Sequence, residues 1–539
     1  MKTSWDFIIV GAGSAGCVLA ERLVSSGFRV LVLEAGQWDR DPWIHIPLGF
    51  GRIRQKRLHD WGYFSEAQSA LDERRVEVRR GKVIGGSSSI NAMVHVRGHP
   101  SDFDRWASSG LRDWAWADVV PAFIEQECWE GSASPLRGTS GPLHVRPSRY
   151  HDPLTDALIE AACLRGHPEV SDYNASEQHG VGTLQFTIRR GRRCSAATAF
   201  LRPVLGKPGL TVRTGVLVTS LKMAGQRVVG VEYRHADRLH VAHADCEVLV
   251  CAGVINSPQI LMLSGIGDPV QLEAHGISVR HKLPGVGLNL QDHPCLPLAF
   301  DRNGHGSMQQ HLRADRIARD LIWAAVSGRG FATDIPSPLA AFLKTDSALP
   351  APDIQVMLHG APVSAQPYLN WAGTPPWQDG FSLLVTLLRP RSRGQVRLVS
   401  ADPLAPMSIQ PALLEDSHDQ RVLLSGFEMV RDIARAPTLQ KFIKQPLGLD
   451  LGNQSTSDLM TYLRQRASTV HHPAGTCKMG LPSDSQAVVD CDLRVMGLDG
   501  LRVVDASVMP DLVGGNINAS VLMIAWRAAQ RIIADHRSK

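Results

Sequence analysis

The sequence lacks the features that mark several large classes of protein. Of its 539 residues only 20% are charged and 6% are aromatic, while 44% are hydrophobic. With 48 Gly and 33 Pro, this is the composition of an ordinary globular protein, so disorder, a collagen helix and a coiled coil are excluded. The net charge of +5 is small for a surface of this size, and it gives no indication of nucleic-acid binding.

Long apolar runs, a leader segment and paired cysteines are also missing. No run approaches the roughly 18 apolar residues of a membrane span, and no charged-then-apolar leader precedes residues 7–10. The nine cysteines contain no C-x-x-C pair. These absences predict a cytoplasmic protein with free thiols and no cleaved export signal. At roughly 150 residues per domain, the length predicts two domains or one elaborated domain.

The N-terminal segment carries a nucleotide-binding pattern. A β-branched run at residues 7–10 precedes G-A-G-S-A-G at residues 11–16, and a segment with helical spacing of apolar residues follows. Gly11 permits a tight turn, Gly13 lets the backbone approach a pyrophosphate, and Gly16 lets helix and strand pack closely. The helix N-terminus offers free N–H groups to phosphate. The pattern predicts a Rossmann-like α/β domain.

A second predicted strand, residues 29–33, ends in Glu34, near the spacing of roughly 20 residues expected for a carboxylate that binds the ribose 2′-hydroxyl. A carboxylate at this position also disfavours a 2′-phosphate. Both FAD and NAD fit these observations.

Later segments resemble the glucose-methanol-choline (GMC) oxidoreductases, a family of FAD-dependent alcohol-oxidising enzymes. Residues 80–94, rich in glycine and small hydroxyl residues, resemble the first signature of the family, and residues 253–267 resemble the second. The match continues through residues 285–293, 392–394, 472–477 and 503–507, and so covers nearly the whole chain. Within the family the sequence looks most like bacterial choline dehydrogenases and aliphatic alcohol dehydrogenases. The resemblance implies FAD as the cofactor.

The resemblance also implies which residues contact FAD. Some relatives attach the flavin to a histidine at the position of Ile90, and isoleucine has no nucleophilic atom, so non-covalent FAD is expected. No metal ligands are predicted. The predicted cofactor-binding residues are Gly11, Gly13, Ser14, Ala15, Gly16, Glu34, Ala35, Gly81, Gly86, Asn91, Ala92, Val94, Val218, Ala252, Gly253, Asp505, Ala506 and Asn516.

Two further residues are predicted to carry the chemistry. Oxidising an alcohol by hydride transfer requires a base for the hydroxyl proton, and histidine suits this role because its usual pKa of roughly 6.5 lies near working pH. His472 matches the family's catalytic histidine, and Asn518 matches its partner, whose amide donates to the substrate oxygen. If the stretch is extended, the adjacent His471 points to the opposite face, which predicts a structural role for it.

The signatures must meet at one FAD, which predicts a discontinuous FAD-binding domain (residues 1–155, 206–297 and 466–539). The intervening residues 156–205 and 298–465 are predicted to form a substrate-binding cap. Strand-like segments at residues 353–358, 381–388 and 395–399 are expected to form a sheet over the substrate pocket. Residues 361–377 read as an irregular, proline-rich loop that either serves as a lid or is ordinary surface.

The predicted function is oxidation of a primary alcohol to an aldehyde, with transfer of a hydride to flavin N5. A dehydrogenase that reduces a quinone and an oxidase that reduces O2 both stay open, as do choline, benzylic and aliphatic substrates. A hydroxynitrile lyase, known in one branch of the family, and a non-catalytic flavoprotein are the remaining alternatives. Residues 313–326 predict a helix with arginines and an apolar end. We expect a solvated face with a buried end there, and peripheral contact with the inner face of the membrane is the alternative.

Overall fold

The computed structural model describes residues 4–362, 364–369 and 376–537. Residue 363 and residues 370–375 of the proline-rich segment lie outside the described residues, so its predicted role as a lid stays a prediction. The helices are α1 (Ser14–Ser25), α2 (Pro42–His45), α3 (Phe50–Lys56), α4 (Pro100–Ser108), α5 (Trp116–Gln126), α6 (Pro153–Leu164), α7 (Gly253–Leu263), α8 (Pro269–Ala274), α9 (Ser307–His311), α10 (Ala314–Ser327), α11 (Ser417–Ala434), α12 (Pro437–Gln440), α13 (Thr456–Arg466) and α14 (Asn518–Arg537).

The strands range from two to thirteen residues in length. They are β1 (Ser4–Val10), β2 (Val30–Glu34), β3 (Tyr63–Phe64), β4 (Glu77–Val78), β5 (Glu127–Trp129), β6 (Leu143–Pro147), β7 (Gly180–Thr183), β8 (Gln185–Phe186), β9 (Ile188–Arg189), β10 (Arg192–Arg193), β11 (Leu210–Thr214), β12 (Leu217–Ala224), β13 (Arg227–His235), β14 (Arg238–Val250), β15 (Ile266–Gly267), β16 (His281–Lys282), β17 (Pro294–Arg302), β18 (Leu339–Leu343), β19 (Ile354–His359), β20 (Gly380–Leu387), β21 (Gln395–Arg397), β22 (Ser408–Gln410), β23 (Ile443–Leu447), β24 (Ser468–Thr469) and β25 (Leu501–Val503).

The first large sheet contains the predicted strand–turn–helix unit. Its strand order is β11-β2-β1-β14-β13-β12, and β25 also pairs with β14. The strands β11, β2, β1, β14 and β25 run parallel, while β12 and β13 add an antiparallel ribbon. All five residues of β2 are buried, as expected for a parallel strand covered on both faces. The helices α1 and α14 pack together in the core of this sheet.

The second large sheet is antiparallel, with the order β23-β17-β20-β19-β18-β7, and β24 also pairs with β17. One face packs on α11, where Leu423, Phe427 and Val430 meet the apolar side chains of β19 and β20. Strands drawn from distant segments thus form two sheets with separate cores. The domain boundaries themselves stay a prediction.

Two expectations about the second half of the chain differ from the structure. Within the segment at residues 395–399, Gln395–Arg397 form β21, whose strand partner among the described residues is β22. Val396 joins the core of the first sheet, so this segment is not part of the predicted cap sheet. On α10 the apolar end is exposed rather than buried, since Ile322 is 67%, Trp323 57% and Val326 80% accessible to solvent. Within the described residues, no helix combines the length and apolarity needed to cross the bilayer.

Candidate active site

A cavity of about 1000 Å³ joins residues from the start, middle and end of the chain. Every predicted cofactor-binding and catalytic residue lines it except Gly16. Gly16 lies behind the wall, where an added Cβ would come within 2.0 Å of the carbonyl oxygen of Gly11 and 3.2 Å of the side chain of Ile9. Its role in the structure is therefore close packing of α1 on β1.

The glycine loop leaves room for a ligand at the N-terminus of α1. Gly13, at the N-cap position of α1, has no side chain to cap the helix, and an added Cβ would approach only the Cys251 carbonyl oxygen, at 4.0 Å. At Gly253, which begins α7, an added Cβ would meet nothing within 4 Å. Uncapped helix N–H groups beside open space suit the pyrophosphate of a dinucleotide.

Two buried carboxylates stand at the walls of this nucleotide end. Glu34 accepts hydrogen bonds from the backbone N–H groups of Ala12 and Gly36, each at 2.8 Å. Burial raises the pKa of Glu34, and the two N–H groups oppose that shift. Each carboxylate oxygen keeps a lone pair for a ribose hydroxyl. Asp505 accepts from Gly253 N–H at 2.9 Å and from the hydroxyl of Ser257 at 2.5 Å, which fixes the start of α7 beside the cavity.

The first signature lies directly against the glycine loop. An added Cβ at Gly86 would come within 2.7 Å of the Gly13 Cα, so no larger residue fits between the two segments. Asn91 is held by the guanidinium of Arg193, whose Nη1 donates to the Asn91 Oδ1 at 2.8 Å. Arg193 was absent from the predicted site, and its buried position behind Asn91 gave no sequence signal.

His472 lies in this cavity with a partner on each ring nitrogen. Its Nε2 is 3.1 Å from the Asn516 Nδ2, and its Nδ1 is 3.1 Å from the Nδ1 of His293. Burial lowers the pKa of His472 well below its usual value, and the neighbouring His293, Arg80 and His471 lower it further. The imidazole is thus neutral near pH 7, as a proton acceptor must be.

The structure exchanges the expected places of the two asparagines. Asn516, predicted at the cofactor, is the residue that contacts His472. Asn518, predicted as the catalytic partner, accepts a hydrogen bond from the hydroxyl of Ser14 at 2.7 Å and so belongs to the glycine loop. The reason is the backbone: Asn518 is the first residue of α14, whereas Asn516 lies before the helix, next to Gly515 with φ of +151°.

The geometry around His471 also differs from the expectation. His471 has φ of +65°, in the left-handed region, so the stretch is not regularly extended. Both histidines consequently line the cavity instead of pointing to opposite faces. Burial lowers the pKa of His471 to about 3, and the charges of Arg80, Arg79 and Arg54 act in the same direction.

Strand pairing explains why His472 meets His293. Pro294 of β17 pairs with Thr469 of β24, and an isolated bridge joins Gln291 to Ala474. Two segments far apart in sequence thus run side by side, with the two histidines between these pairs.

Asp292 and His293 contact His472 and were not among the predicted site residues. Asp292 Oδ1 accepts the backbone N–H groups of both His293 and His472, each at 2.8 Å, and so fixes the two backbones relative to each other. Both residues lie in the segment 285–293 that resembles the family. A polar Asp-His pair directly before an apolar strand was the available signal.

These features define a class of protein. A glycine loop, uncapped helix N-termini, a buried carboxylate and a cavity of about 1000 Å³ fit FAD, and a neutral histidine in the same cavity fits oxidation of a CH–OH group.

The chain belongs to the GMC oxidoreductase family. The N-terminal model of GMC oxidoreductases matches residues 5–295 and the C-terminal model matches residues 390–525. The sequence is 39% identical to the mitochondrial choline dehydrogenase of Homo sapiens, over 98% of this chain and 90% of that protein. It is 35% identical to the oxygen-dependent choline dehydrogenase of Photobacterium profundum, over 99% and 94% respectively.

Solved structures agree with this assignment. Pyridoxine 4-oxidase from Mesorbium loti superposes with a TM-score of 0.87 at 34% identity, over 98% of this chain and 99% of that chain. A variant of formate oxidase from Aspergillus oryzae RIB40 gives 0.91 at 27% identity, over 100% of both chains. The protein is an FAD-dependent oxidoreductase that acts on the CH–OH group of its donors.

Proposed function

We propose that the protein oxidises a primary alcohol to an aldehyde, with His472 as the general base and Asn516 as the donor to the substrate oxygen. The observation that carries this proposal is the contact between His472 Nε2 and Asn516 Nδ2 in the wall of the FAD cavity. An alcohol oxygen within reach of both atoms gives its proton to Nε2 and accepts a hydrogen bond from the amide. FAD, when bound, supplies the hydride acceptor.

The wall of the cavity beside His472 indicates the charge of the substrate. Arg54 lines the cavity, and its charge lowers the pKa values of both His359 and His471. Arg79 and Arg80 line the same wall, and Arg80 donates to the backbone carbonyl of His471.

In the described lining, arginines outnumber carboxylates seven to four, so the lining carries an excess of positive charge. Of the carboxylates, Glu77 pairs with Arg79 and Asp60 pairs with Arg57. Glu34 and Asp505 lie at the nucleotide end. Lys82 lies over the ring of Trp61, with Nζ 4.4 Å from the ring centre.

A quaternary ammonium is bound best by open aromatic faces or a carboxylate. We therefore propose an uncharged or anionic primary alcohol as the substrate. Choline, the substrate named for the relatives, is less favoured.

Anaerobic mixing with a panel of alcohols tests the function and the substrate together. Choline, benzyl alcohol, an alkanol and a hydroxy acid are each mixed with the holoenzyme while the absorbance of oxidised flavin is followed. We expect the uncharged or anionic alcohols to bleach the flavin at lower concentrations than choline. Preferential bleaching by choline would contradict the substrate proposal, and no bleaching with any alcohol would favour the lyase.

Admitting air to the bleached enzyme separates the two electron acceptors. Rapid recolouring with release of H2O2 indicates an oxidase, whereas slow recolouring indicates a dehydrogenase that awaits a quinone.

The exposed end of α10 supports peripheral contact with a membrane, which was the alternative to the expected buried end. Ile322, Trp323 and Val326 are exposed, and Arg316 and Arg319 lie on the same helix. An apolar face with nearby arginines suits the interface of an anionic bilayer. Co-sedimentation of the holoenzyme with anionic vesicles is expected, and it should weaken in Trp323→Ser. Failure of the parent protein to sediment would contradict this localisation.

A further inference from the structure

Two buried histidines face each other behind the cavity. The Nδ1 atoms of His293 and His472 are 3.1 Å apart, with the ring planes at 89°. His293 is fully buried. Two imidazole nitrogens form a hydrogen bond only when one carries a proton and the other has a free lone pair. The partners of the two Nε2 atoms determine which of the two Nδ1 atoms carries the proton.

A backbone carbonyl determines which nitrogen of His293 carries the proton. Its Nε2 is 3.1 Å from the backbone carbonyl oxygen of Leu388, which is an acceptor only, so Nε2 carries a proton. Burial lowers the pKa of His293 to about 4, although contacts with backbone carbonyls oppose the shift. The ring is therefore neutral near pH 7, and its Nδ1 has a free lone pair directed at His472.

The tautomer of His293 then determines the tautomer of His472. Because His293 Nδ1 accepts, His472 Nδ1 must donate, and the neutral imidazole of His472 keeps its free lone pair at Nε2. That atom is the one in contact with the Asn516 Nδ2. On the other side of Asn516, the Gln355 Nε2 is 3.2 Å from the Asn516 Oδ1, which orients the amide with its donor toward His472.

We propose that His293 is a positioning residue for the reaction: it holds the proton of His472 on Nδ1 and so presents the unprotonated Nε2 to the alcohol. This role rests on the proposed function of His472 as the base. When the alcohol proton moves to Nε2, His472 carries a proton on both nitrogens and a positive charge. Its Nδ1–H continues to donate to the neutral His293, which therefore serves the ring before and after proton transfer.

Variants at His293 test the role against a purely structural one. His293→Leu removes the acceptor, while His293→Asn keeps an oxygen acceptor near the position of Nδ1. Leu296→Val, a small packing change at a buried residue of β17, the strand that follows His293, is the matched control. His472→Gln reports whether the base itself is needed.

We expect His293→Leu to slow anaerobic flavin reduction about 10- to 100-fold, by analogy with the loss of a partner that orients a metal-bound histidine. The alcohol concentration for half-saturation should stay unchanged, and the solvent isotope effect should rise as proton transfer becomes limiting. His293→Asn should recover part of the rate, and Leu296→Val should keep the parental rate.

A spectroscopic readout does not depend on turnover. In protein labelled with ¹⁵N-histidine, comparison with His472→Gln assigns the two His472 nitrogens, and the role predicts a protonated Nδ1 and a bare Nε2. The opposite tautomer would overturn the proposal even if the leucine variant failed to fold. A parental rate in His293→Leu together with a severe loss in His472→Gln would also overturn it and leave the proposed function intact. A parental rate in His472→Gln would overturn the proposed function itself.

Discussion

Asn516 and Asn518 lie two residues apart and have different partners, His472 and Ser14. We expect Asn516→Ala to slow anaerobic flavin reduction by about 10²–10³-fold, the usual cost of losing one donor to a reacting oxygen. In Asn518→Ala the main effect should be weaker retention of FAD, measured by flavin content after dialysis, with a smaller loss of rate in the FAD-loaded enzyme. If Asn518→Ala lost the rate and Asn516→Ala kept it, the exchange of roles would be wrong.

At this scale the sequence predicts which residue types occupy the site better than it predicts their contacts. His472 and both asparagines were selected from matched motifs, and all three line the cavity. Which asparagine faces the histidine depends on where α14 begins, and that boundary is not visible in the sequence. His293 was not predicted because its partner lies 179 positions away, and the pairing of β17 with β24 and the bridge from Gln291 to Ala474 bring the two together.

At the scale of the element, Gly16 tests how α1 is seated on β1. An added methyl group at Gly16 would meet the carbonyl oxygen of Gly11 at 2.0 Å, so Gly16→Ala must displace the glycine loop. We expect a loss of about 1–3 kcal/mol in the free energy of unfolding, the usual cost of overpacking, together with lower FAD content.

Gly51→Ala is the matched control for this change, because an added Cβ there meets nothing within 4 Å. In denaturant titration it should leave the free energy of unfolding unchanged or raise it by up to about 1 kcal/mol, because alanine favours a helix more than glycine does. Equal stability of the two variants would show that the close packing at Gly16 is unimportant.

Elements with a strong local pattern were predictable. Within residues 4–25, a β-branched run, a glycine-rich turn and a helical spacing of apolar residues predict β1, the glycine loop and α1. Sheet membership was harder, because β21 has the apolar pattern of a strand yet pairs with β22 and packs on the first core. Pairing partners are chosen by tertiary packing, which a single strand does not encode.

At the scale of the whole molecule, the dispersed signatures predicted one shared cofactor site. The cavity does collect residues from Val10 to Val521. The same reasoning does not define the limits of the two predicted domains. The strands β17 and β24 belong to the second sheet, yet His293 directly precedes β17 and His472 follows β24 by three residues.

The most direct test of the whole account is anaerobic flavin reduction in His472→Gln, with the FAD content measured on the same sample by acid precipitation. Ile90 lines the cavity without a nucleophilic atom, so the flavin of both proteins should pass to the supernatant. We expect the variant to hold FAD like the parent protein and to be reduced by a saturating alcohol about 10²–10⁴-fold more slowly, because a positioned base is lost. Reduction at the parental rate in the FAD-loaded variant would contradict the central claim that His472 removes the proton of the alcohol.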